Sequence, residues 1–314
     1  MLSLKSGTKI AIINSDKNDA IYIKDDNGEE NEPEIETTDE HQSRMFDNYL
    51  KMDKKLSSVD IQLLKEAYSG VNINNTIQLP QKLQRKFEDA RKYVNQSLKK
   101  HLDYSSTKNI LLMPIIQDES YRLYVTGLSG SGKSYFISQF LKYNKPKTKG
   151  AGIFLFSPIE NDKSLSSIKN LIHLNLDEIE RSKEMKGEEF TIEHIPEGSV
   201  VLFDDIESHH KNVRKKYMDL RDVLLERGRH RKLSTITVSH NARNGHTTKV
   251  SIRESQYWCL FPSANKFDVR MLLKSYGGLE PENVNMLMSQ KTRWLFFKKS
   301  IPQYAVTEHS VIVI

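Results

Sequence analysis

The fold is decided by the stretch Tyr121-Arg-Leu-Tyr-Val-Thr-Gly-Leu-Ser-Gly-Ser-Gly-Lys-Ser134. Its first residues predict a short apolar strand, its glycines predict a turn, and the residues from Lys133 onward predict a helix. Gly127–Ser134 fits the pattern Gly-x-x-x-x-Gly-Lys-Ser of a phosphate-binding loop. By average residue usage, a chain of this length matches that pattern roughly once in a hundred cases. The strand before the loop and the helix after it make the match more specific.

Each residue type in this loop has a physical role in holding a phosphate. Glycines let the backbone turn tightly so that its N–H groups converge on an anion, and the following helix adds the positive end of its dipole. Lys133 is expected to reach the β- and γ-phosphates, and Ser134 to bind Mg²⁺. The alternative is a glycine-rich hinge that binds nothing. The predicted nucleotide-binding residues are Gly127, Leu128, Ser129, Gly130, Ser131, Gly132, Lys133 and Ser134.

A second segment, Val200-Val-Leu-Phe-Asp-Asp-Ile-Glu207, places acidic residues directly after four apolar ones. This pattern predicts a buried strand of the Walker B type, with Asp204 at its tip to hold the water shell of Mg²⁺. Asp205 is the predicted base that orients or deprotonates the attacking water, and Glu207 is the reserve candidate for that role. The alternative is a pair of aspartates that only cap a helix.

A basic turn and a further strand follow. Arg227-Gly-Arg-His-Arg-Lys232 precedes the strand-like Leu233–Val238, after which come His240 and Asn241. In additional-strand ATPases this strand lies between the two motif strands, so His240 or Asn241 is expected to sense the γ-phosphate. Arg229 is the candidate arginine finger toward a neighbouring subunit, an effect worth roughly 10³–10⁵ in rate. The alternative is a basic turn that touches DNA phosphates.

The charge of the chain is distributed unevenly. The net charge of its 314 residues is +6, made up of −7 over residues 1–40 and +13 over residues 41–314. A basic body favours a polyanionic partner. The alternative is that lysine-rich, solvated faces account for the same net charge. No apolar run approaches the roughly 20 residues that span a bilayer, and the start lacks the features of a signal peptide. We therefore expect a soluble protein, and the lone Cys259 suits a reducing compartment.

Composition divides the chain into four segments. Residues 1–24 predict a hairpin, residues 25–40 an acidic linker, residues 41–105 a helical region, and residues 106–314 the phosphate-loop ATPase domain. The linker is either a solvated spacer or an acidic mimic of DNA. In the helical region, an apolar face opposes a basic face that is solvated or contacts DNA or a partner. The apolar positions are Leu83, Phe87, Ala90, Val94, Leu98 and Leu102.

Three segments together resemble the FtsK–HerA superfamily: Gly127–Ser134, Val200–Asp205 and Leu224–Asn241. Within it they are most similar to the genome-packaging ATPases of poxviruses and giant DNA viruses, over roughly residues 109–310. The first two motifs are generic to nucleotide hydrolases, and the third carries most of the assignment. Family members usually have Gln at the end of the sensor strand, where this chain has His240.

The resemblance implies a motor that uses ATP and Mg²⁺ to push double-stranded DNA into a preformed capsid. It further implies a homo-oligomeric ring, hexameric or pentameric, with a central channel lined by basic loops. Capsid or portal-vertex proteins are the implied partners, and contact with an inner membrane of the virion stays open. The implied location is the viral factory in the host cytoplasm, or the virion.

Two other classes stay open from the residues alone. Asn265-Lys266-Phe267-Asp268 matches the guanine-reading motif of GTPases, whereas Asp204–Glu207 lacks the glycine that a GTPase switch uses to meet the γ-phosphate. We interpret Asn265–Asp268 as the start of an amphipathic helix. The third class is a structural phosphate-loop protein that binds nucleotide without hydrolysing it.

The fold prediction follows from these motifs. We expect an α/β protein: a three-layer P-loop NTPase of the additional-strand class with a mainly parallel central sheet, preceded by a small, mainly helical N-terminal region.

Overall fold

The computed structural model describes residues 1–13, 19–24, 39–53, 55–72, 79–98, 100–104, 110–159, 164–181, 189–263 and 265–314. Its helices are α1 (Asp39–Met52), α2 (Ser58–Asn72), α3 (Gln81–Leu98), α4 (Lys133–Tyr143), α5 (Leu176–Glu180), α6 (Lys211–Arg227), α7 (Gly245–Glu254), α8 (Lys266–Met271) and α9 (Pro281–Met288). Across the described ranges, none of these helices combines the length and the apolar character needed to cross a membrane.

The strands, in chain order, are β1 (Leu2–Ser3), β2 (Thr8–Ile13), β3 (Ala20–Ile23), β4 (His101–Asp103), β5 (Leu112–Pro114), β6 (Arg122–Thr126), β7 (Ile153–Phe156), β8 (Leu171–His173), β9 (Val200–Asp204), β10 (Ser234–Ser239), β11 (Tyr257–Leu260), β12 (Leu295–Lys298), β13 (Tyr304–Thr307) and β14 (Ser310–Val313). They form two sheets.

The main sheet has the strand order β4-β14-β13-β12-β11-β6-β10-β9-β7-β8. The strands from β11 to β8 run parallel to one another, and the other four join antiparallel. β10 lies between β6 and β9, so that Ile236 pairs with Leu123 on one side and with Leu202 on the other. An inserted strand between the two motif strands is the arrangement predicted for the additional-strand class, and the prediction is confirmed.

Helices cover both faces of this sheet. On one face, Phe140 of α4 shares an apolar cluster with Val125 and Val238. On the other face, Leu224 of α6 packs in a cluster with Phe203, and α7, α8 and α9 cover β6, β11 and β12. Each large apolar side chain buried in this way stabilises the fold by about 1.5–3 kcal/mol. The predicted three-layer α/β architecture is therefore confirmed.

The first strands form the second sheet, with the order β1-β3-β2-β5. β2 and β3 form an antiparallel hairpin. β2 also pairs with β5 from beyond the helical region, and Ile10 and Ile21 join the same apolar cluster as α4. The hairpin thus shares a core with the main sheet, and the division of the chain at residues 24, 40 and 105 stays a prediction. Residues 25–38 of the acidic linker lie outside the described residues.

Helices α1, α2 and α3 enclose a core of their own. Phe46 of α1 stacks on Tyr68 of α2, with 4.1 Å between the ring centroids. Of the predicted apolar face of α3, Leu83, Ala90, Val94 and Leu98 are buried and Phe87 is half-buried, but the inclusion of Leu102 was wrong. α3 ends at Leu98, and Leu102 lies in β4, where it pairs with Val311 of β14. Pairing at the edge of the main sheet overrides a helical spacing that continues past the end of the helix.

A buried hydroxyl in β10 provides a test of this packing. Thr237 is 2% exposed, and its hydroxyl has no hydrogen-bond partner within the described part of the chain. Valine has the same shape without the hydroxyl, so Thr237→Val is expected to raise the free energy of unfolding by about 1 kcal/mol in urea denaturation. The control Ile236→Val loses a methyl group and should lower that free energy by about 1 kcal/mol. Equal losses in both variants would contradict the prediction.

Candidate functional site

The predicted phosphate loop lies between β6, which ends at Thr126, and α4, which begins at Lys133. Gly130 and Gly132 have φ angles of 75° and 102°, a region in which side chains with a Cβ are strained. These glycines reverse the chain at the amino end of an eleven-residue helix. The unpaired N–H groups of that helix end therefore face the inside of the loop, as an anion site requires.

Gly127 is required for a different reason, the close approach of another strand end. A Cβ at this position would lie 2.8 Å from the Phe261 Cβ and 2.8 Å from the Ser131 Oγ. Phe261 directly follows β11, the neighbour of β6, and is buried. The first glycine of the motif thus lets the loop lie against the neighbouring strand end.

Lys133 is buried and reaches back over its own loop. Its Nζ donates hydrogen bonds to the carbonyls of Gly127 at 2.6 Å and Leu128 at 3.0 Å. Burial lowers the pKa of the Lys133 amine, and the charges of Asp204 and Asp205 oppose that shift. A buried ammonium that two loop carbonyls hold in place is a preformed counter-charge for an anion in the loop.

The acidic residues lie at the same edge of the sheet because β6, β10 and β9 are parallel. Asp204 is the last residue of β9 and is 8% exposed. Asp205 follows in a left-handed conformation, with φ 54°, which aspartate tolerates better than most residues. The turn separates the two carboxylates, since Asp204 completes the strand and Asp205 begins the next turn.

His240 connects the lysine to the second carboxylate. Its Nδ1 lies 3.1 Å from the Lys133 Nζ, and its Nε2 lies 3.4 Å from an Asp205 carboxylate oxygen. An ammonium can only donate, so Nδ1 accepts from Lys133, and the proton on Nε2 faces Asp205. The hydrogen-bond geometry thereby assigns the tautomer. Lys133, His240 and Asp205 form one polar chain across the ends of three adjacent strands.

Glu207 has a separate set of contacts. One of its carboxylate oxygens lies 3.2 Å from the hydroxyl of Ser239, the last residue of β10. Burial raises the pKa of the Glu207 carboxyl, while the Ser239 hydrogen bond and the charge of Arg221 oppose that shift. Glu207 therefore lies close to the polar chain, and its carboxylate is bonded to the last residue of β10.

Arg229 lies far from this cluster within the chain. It is exposed in a short turn that precedes β10, whereas His240 follows the other end of that strand. A six-residue strand spans roughly 20 Å. The structure therefore does not place Arg229 at the phosphate loop of its own chain, and a role as a finger stays a prediction about a neighbouring subunit.

Arg293 is a residue near the loop that the sequence motifs did not reveal. A Cβ on Gly132 would lie 3.6 Å from the Arg293 Cδ. Arg293 stands two residues before β12, an antiparallel strand whose first residue, Leu295, pairs with Leu260 at the end of β11. Only the sheet order brings residue 293 to the edge that carries the phosphate loop.

The guanine-reading motif of the GTPase alternative caps a helix. Asn265 precedes α8, its side chain accepts from the Asp268 backbone N–H, and its amide lies 2.6 Å from the Asp268 carboxylate. That carboxylate also pairs with Arg243 at 3.0 Å. The groups that would read guanine are thus used in a helix cap, as the interpretation of this segment expected.

The residues present fit a Mg²⁺-bound nucleotide. The Ser131 hydroxyl is buried without a partner among the described residues, and the loop offers N–H groups and the Lys133 amine. No cluster of three or more potential metal ligands occurs among the residues that the structure describes. Mg²⁺ typically takes only one or two carboxylates and completes its shell with phosphates and water. Ser134 and Asp204 would hold it, and it would neutralise charge on the phosphates.

Comparisons with known proteins add the following similarities. A comparison with protein-family models finds no match to this chain. An uncharacterised protein of Sputnik virophage is 29% identical over 240 residues, which is 71% of this chain and 90% of the relative. Among solved structures, the genome packaging NTPase of Sulfolobus turreted icosahedral virus 2 with bound sulfate has a TM-score of 0.37 at 12% identity, covering 60% of this chain and 96% of that chain.

Two further structures show similarity of the same order. The pCW3 conjugation coupling protein TcpA with ATPγS has a TM-score of 0.40 at 16% identity, covering 62% of each chain. The cytoplasmic domain of the Type VII secretion ATPase EccC of Thermomonospora curvata has a TM-score of 0.40 at 12% identity, covering 62% of this chain and 27% of that chain. The fold assignment rests on the strand order and the loop geometry of this chain.

Two alanine variants separate steric contact from backbone strain in the loop. Gly127→Ala brings a Cβ into contact with Phe261, so the loop must shift, and we expect at least a tenfold loss of ATP affinity in calorimetry. Gly130→Ala meets no atom within 4 Å and adds only the strain of its positive φ, about 1–2 kcal/mol of stability. A smaller loss of affinity in Gly127→Ala than in Gly130→Ala would contradict the steric argument.

Proposed function

We propose that this chain is an ATP-hydrolysing motor that translocates double-stranded DNA into a viral capsid. The observation that carries the proposal is the polar chain from Lys133 through His240 to Asp205, at one edge of a sheet whose order is β6-β10-β9. A phosphate loop, an acidic strand tip and an intervening polar strand end are the parts that nucleotide hydrolysis needs.

Each residue has a proposed role in that chemistry. Gly127–Gly132 cradle the phosphates with backbone N–H groups, Lys133 neutralises their charge, and Ser134 and Asp204 hold Mg²⁺. Asp205 orients or deprotonates the attacking water. Its contact with the His240 ring, 3.4 Å from the ring Nε2 to a carboxylate oxygen, keeps it oriented and ties its position to that of Lys133. His240 is thereby also the proposed sensor of the γ-phosphate.

Glu207 is the reserve base, and its contacts make it the weaker candidate. Its carboxylate is engaged by Ser239, whereas Asp205 is linked through His240 to the lysine of the loop. Burial raises the pKa of Glu207, which favours its protonated form relative to an ordinary glutamate. We assign the base role to Asp205 because its carboxylate, and not that of Glu207, is linked through His240 to the lysine of the loop.

The proposed assembly is a ring, hexameric or pentameric. Arg229 is exposed at the edge of the sheet opposite the phosphate loop, so it can act on a nucleotide only in a neighbouring subunit. A ring of identical subunits would repeat that contact at every interface. The net charge of +13 over residues 41–314 supports double-stranded DNA as the polyanion. Capsid or portal-vertex proteins, and a location in the viral factory or virion, follow from the resemblance.

The two alternative functions have less support. A GTPase needs the Asp268 carboxylate to read guanine, but that group is bound by Asn265 and Arg243. A non-hydrolysing structural protein does not need Asp205 and His240 to be linked to the phosphate-loop lysine. No contact among the described residues favours either alternative over the motor.

Nucleotide turnover with and without duplex DNA tests the proposal. We expect ATPase activity that duplex DNA stimulates, and at least a hundredfold loss in Lys133→Ala because the phosphate charge is no longer neutralised. The stimulation should fall steeply as salt rises, since binding to the DNA backbone releases counterions. A stimulation that is unchanged between low and high salt would contradict the motor.

A large preference for GTP over ATP that Asp268→Asn removes would support the GTPase instead.

A matched pair of acidic variants tests the assignment of the base. Asp205→Asn keeps the shape of the side chain but cannot take up a proton, so turnover should fall by roughly 10²–10⁴. Glu207→Gln should lower turnover by less than tenfold, because its Ser239 contact can be kept by an amide oxygen. Single-turnover kinetics at saturating ATP separate this effect from binding. The reverse order of the two losses would make Glu207 the base.

A further inference from the structure

We propose that Arg293 binds the phosphates of the nucleotide that the phosphate loop of its own polypeptide holds. The inference rests on the proposed nucleotide site and adds a residue to it. Nothing in the phosphate-loop or Walker B motifs points to position 293, which lies 159 residues after the end of the loop at Ser134.

The sheet order places Arg293 at the correct edge. β11 runs parallel to β6, and β12 runs antiparallel to β11. The amino end of β12 therefore lies beside the carboxyl ends of β6 and β11, where the phosphate loop begins. Leu260 pairs with Thr126 on one side and with Leu295 on the other. Residue 293 thus lies two strands away from the strand that leads into the loop.

The contact with the loop is close and involves its last glycine. The Arg293 Cδ is 3.6 Å from the position that a Cβ would take on Gly132, and Gly132 is the residue from which α4 starts. The guanidinium lies beyond Cδ and carries five N–H donors in a fixed plane. The Arg293 stem therefore passes beside the residue that precedes the first N–H groups of α4, which the phosphates are proposed to contact.

The backbone that carries Arg293 is held rigidly. The Arg293 N–H donates to the Glu308 carboxylate at 2.8 Å, and the Thr292 hydroxyl donates to the Trp294 carbonyl at 2.8 Å. The Trp294 ring contacts Phe136 of α4, with 5.0 Å between the ring centroids. The segment is thus packed against the helix that follows the loop, so its backbone does not have to be ordered when the side chain binds an anion.

The charge of Arg293 is available for a ligand. Its side chain is exposed, and its guanidinium forms no ion pair or hydrogen bond with the residues that the structure describes. The Glu308 carboxylate bonds to the backbone N–H of Arg293 instead. Arginine is suited to phosphate because its planar donors match two phosphate oxygens at once. The alternative is a solvated arginine whose stem only covers Gly132.

The test is equilibrium binding of fluorescent ATP, ADP and AMP in the presence of Mg²⁺ and in the absence of DNA. Arg293→Met keeps an unbranched stem over Gly132 and removes the charge. We expect it to weaken ATP binding at least tenfold, to weaken AMP binding less, and to leave the melting temperature of the free protein unchanged. Arg293→Lys should restore part of the ATP affinity. The control is Arg270→Met, because Arg270 is exposed and bonds to Asn285 on α9; it should bind ATP like the wild type.

The outcomes separate this inference from the proposed function. ATP affinity within twofold of the wild type in Arg293→Met overturns the role of Arg293, even if the wild type is a DNA-stimulated ATPase. An equal loss of affinity for ATP and AMP, together with a lower melting temperature, also overturns it, because it indicates a purely structural role. A wild type that binds ATP without DNA-stimulated turnover contradicts the motor but leaves the test of Arg293 intact.

Discussion

The site depends on the parallel insertion of β10 between β6 and β9. In a parallel sheet the carboxyl ends of neighbouring strands meet at one edge, and adjacent strands lie only about 4.8 Å apart. The loop after β6, the tip of β9 and the residue after β10 are therefore brought together by backbone pairing alone. The polar chain from Lys133 to Asp205 exists because His240 occupies the middle of these three strand ends. If β10 paired elsewhere, His240 would not lie between the lysine and the aspartates, and the link between them would be lost.

Burial of Lys133 determines the charge balance of this edge. Removing an ammonium from water is costly, and its pKa is lowered accordingly. Two loop carbonyls, one imidazole nitrogen and the nearby carboxylates offset that cost. These partners hold the amine inside the loop, where a phosphate would be the stronger partner for the same N–H groups. A bound phosphate would thus take the place of the oxygens that stabilise the lysine in the free protein.

Much of the fold could be predicted from the sequence, because the motifs impose it. A phosphate loop needs a strand before it and a helix after it, and an apolar run that ends in aspartate predicts a second buried strand of the same sheet. The positions of Arg293 and Phe261 beside the loop could not be predicted, since they depend on the pairing of β11 with β6 and of β12 with β11. The helical spacing that includes Leu102 was misleading for a related reason. Its place in β4 is set by β14, more than two hundred residues later.

The histidine at position 240 departs from the glutamine that the resemblance implies, and the hydrogen-bond pattern explains why the departure is small. A glutamine amide has a carbonyl oxygen that accepts and an NH₂ group that donates. The neutral imidazole in the tautomer assigned above also has one acceptor, toward Lys133, and one donor, toward Asp205. Either side chain can therefore connect a cation that only donates to a carboxylate that only accepts. What this strand end requires is a group with both functions, fixed between the lysine and the aspartate, and the rigid ring of His240 provides both in a single plane.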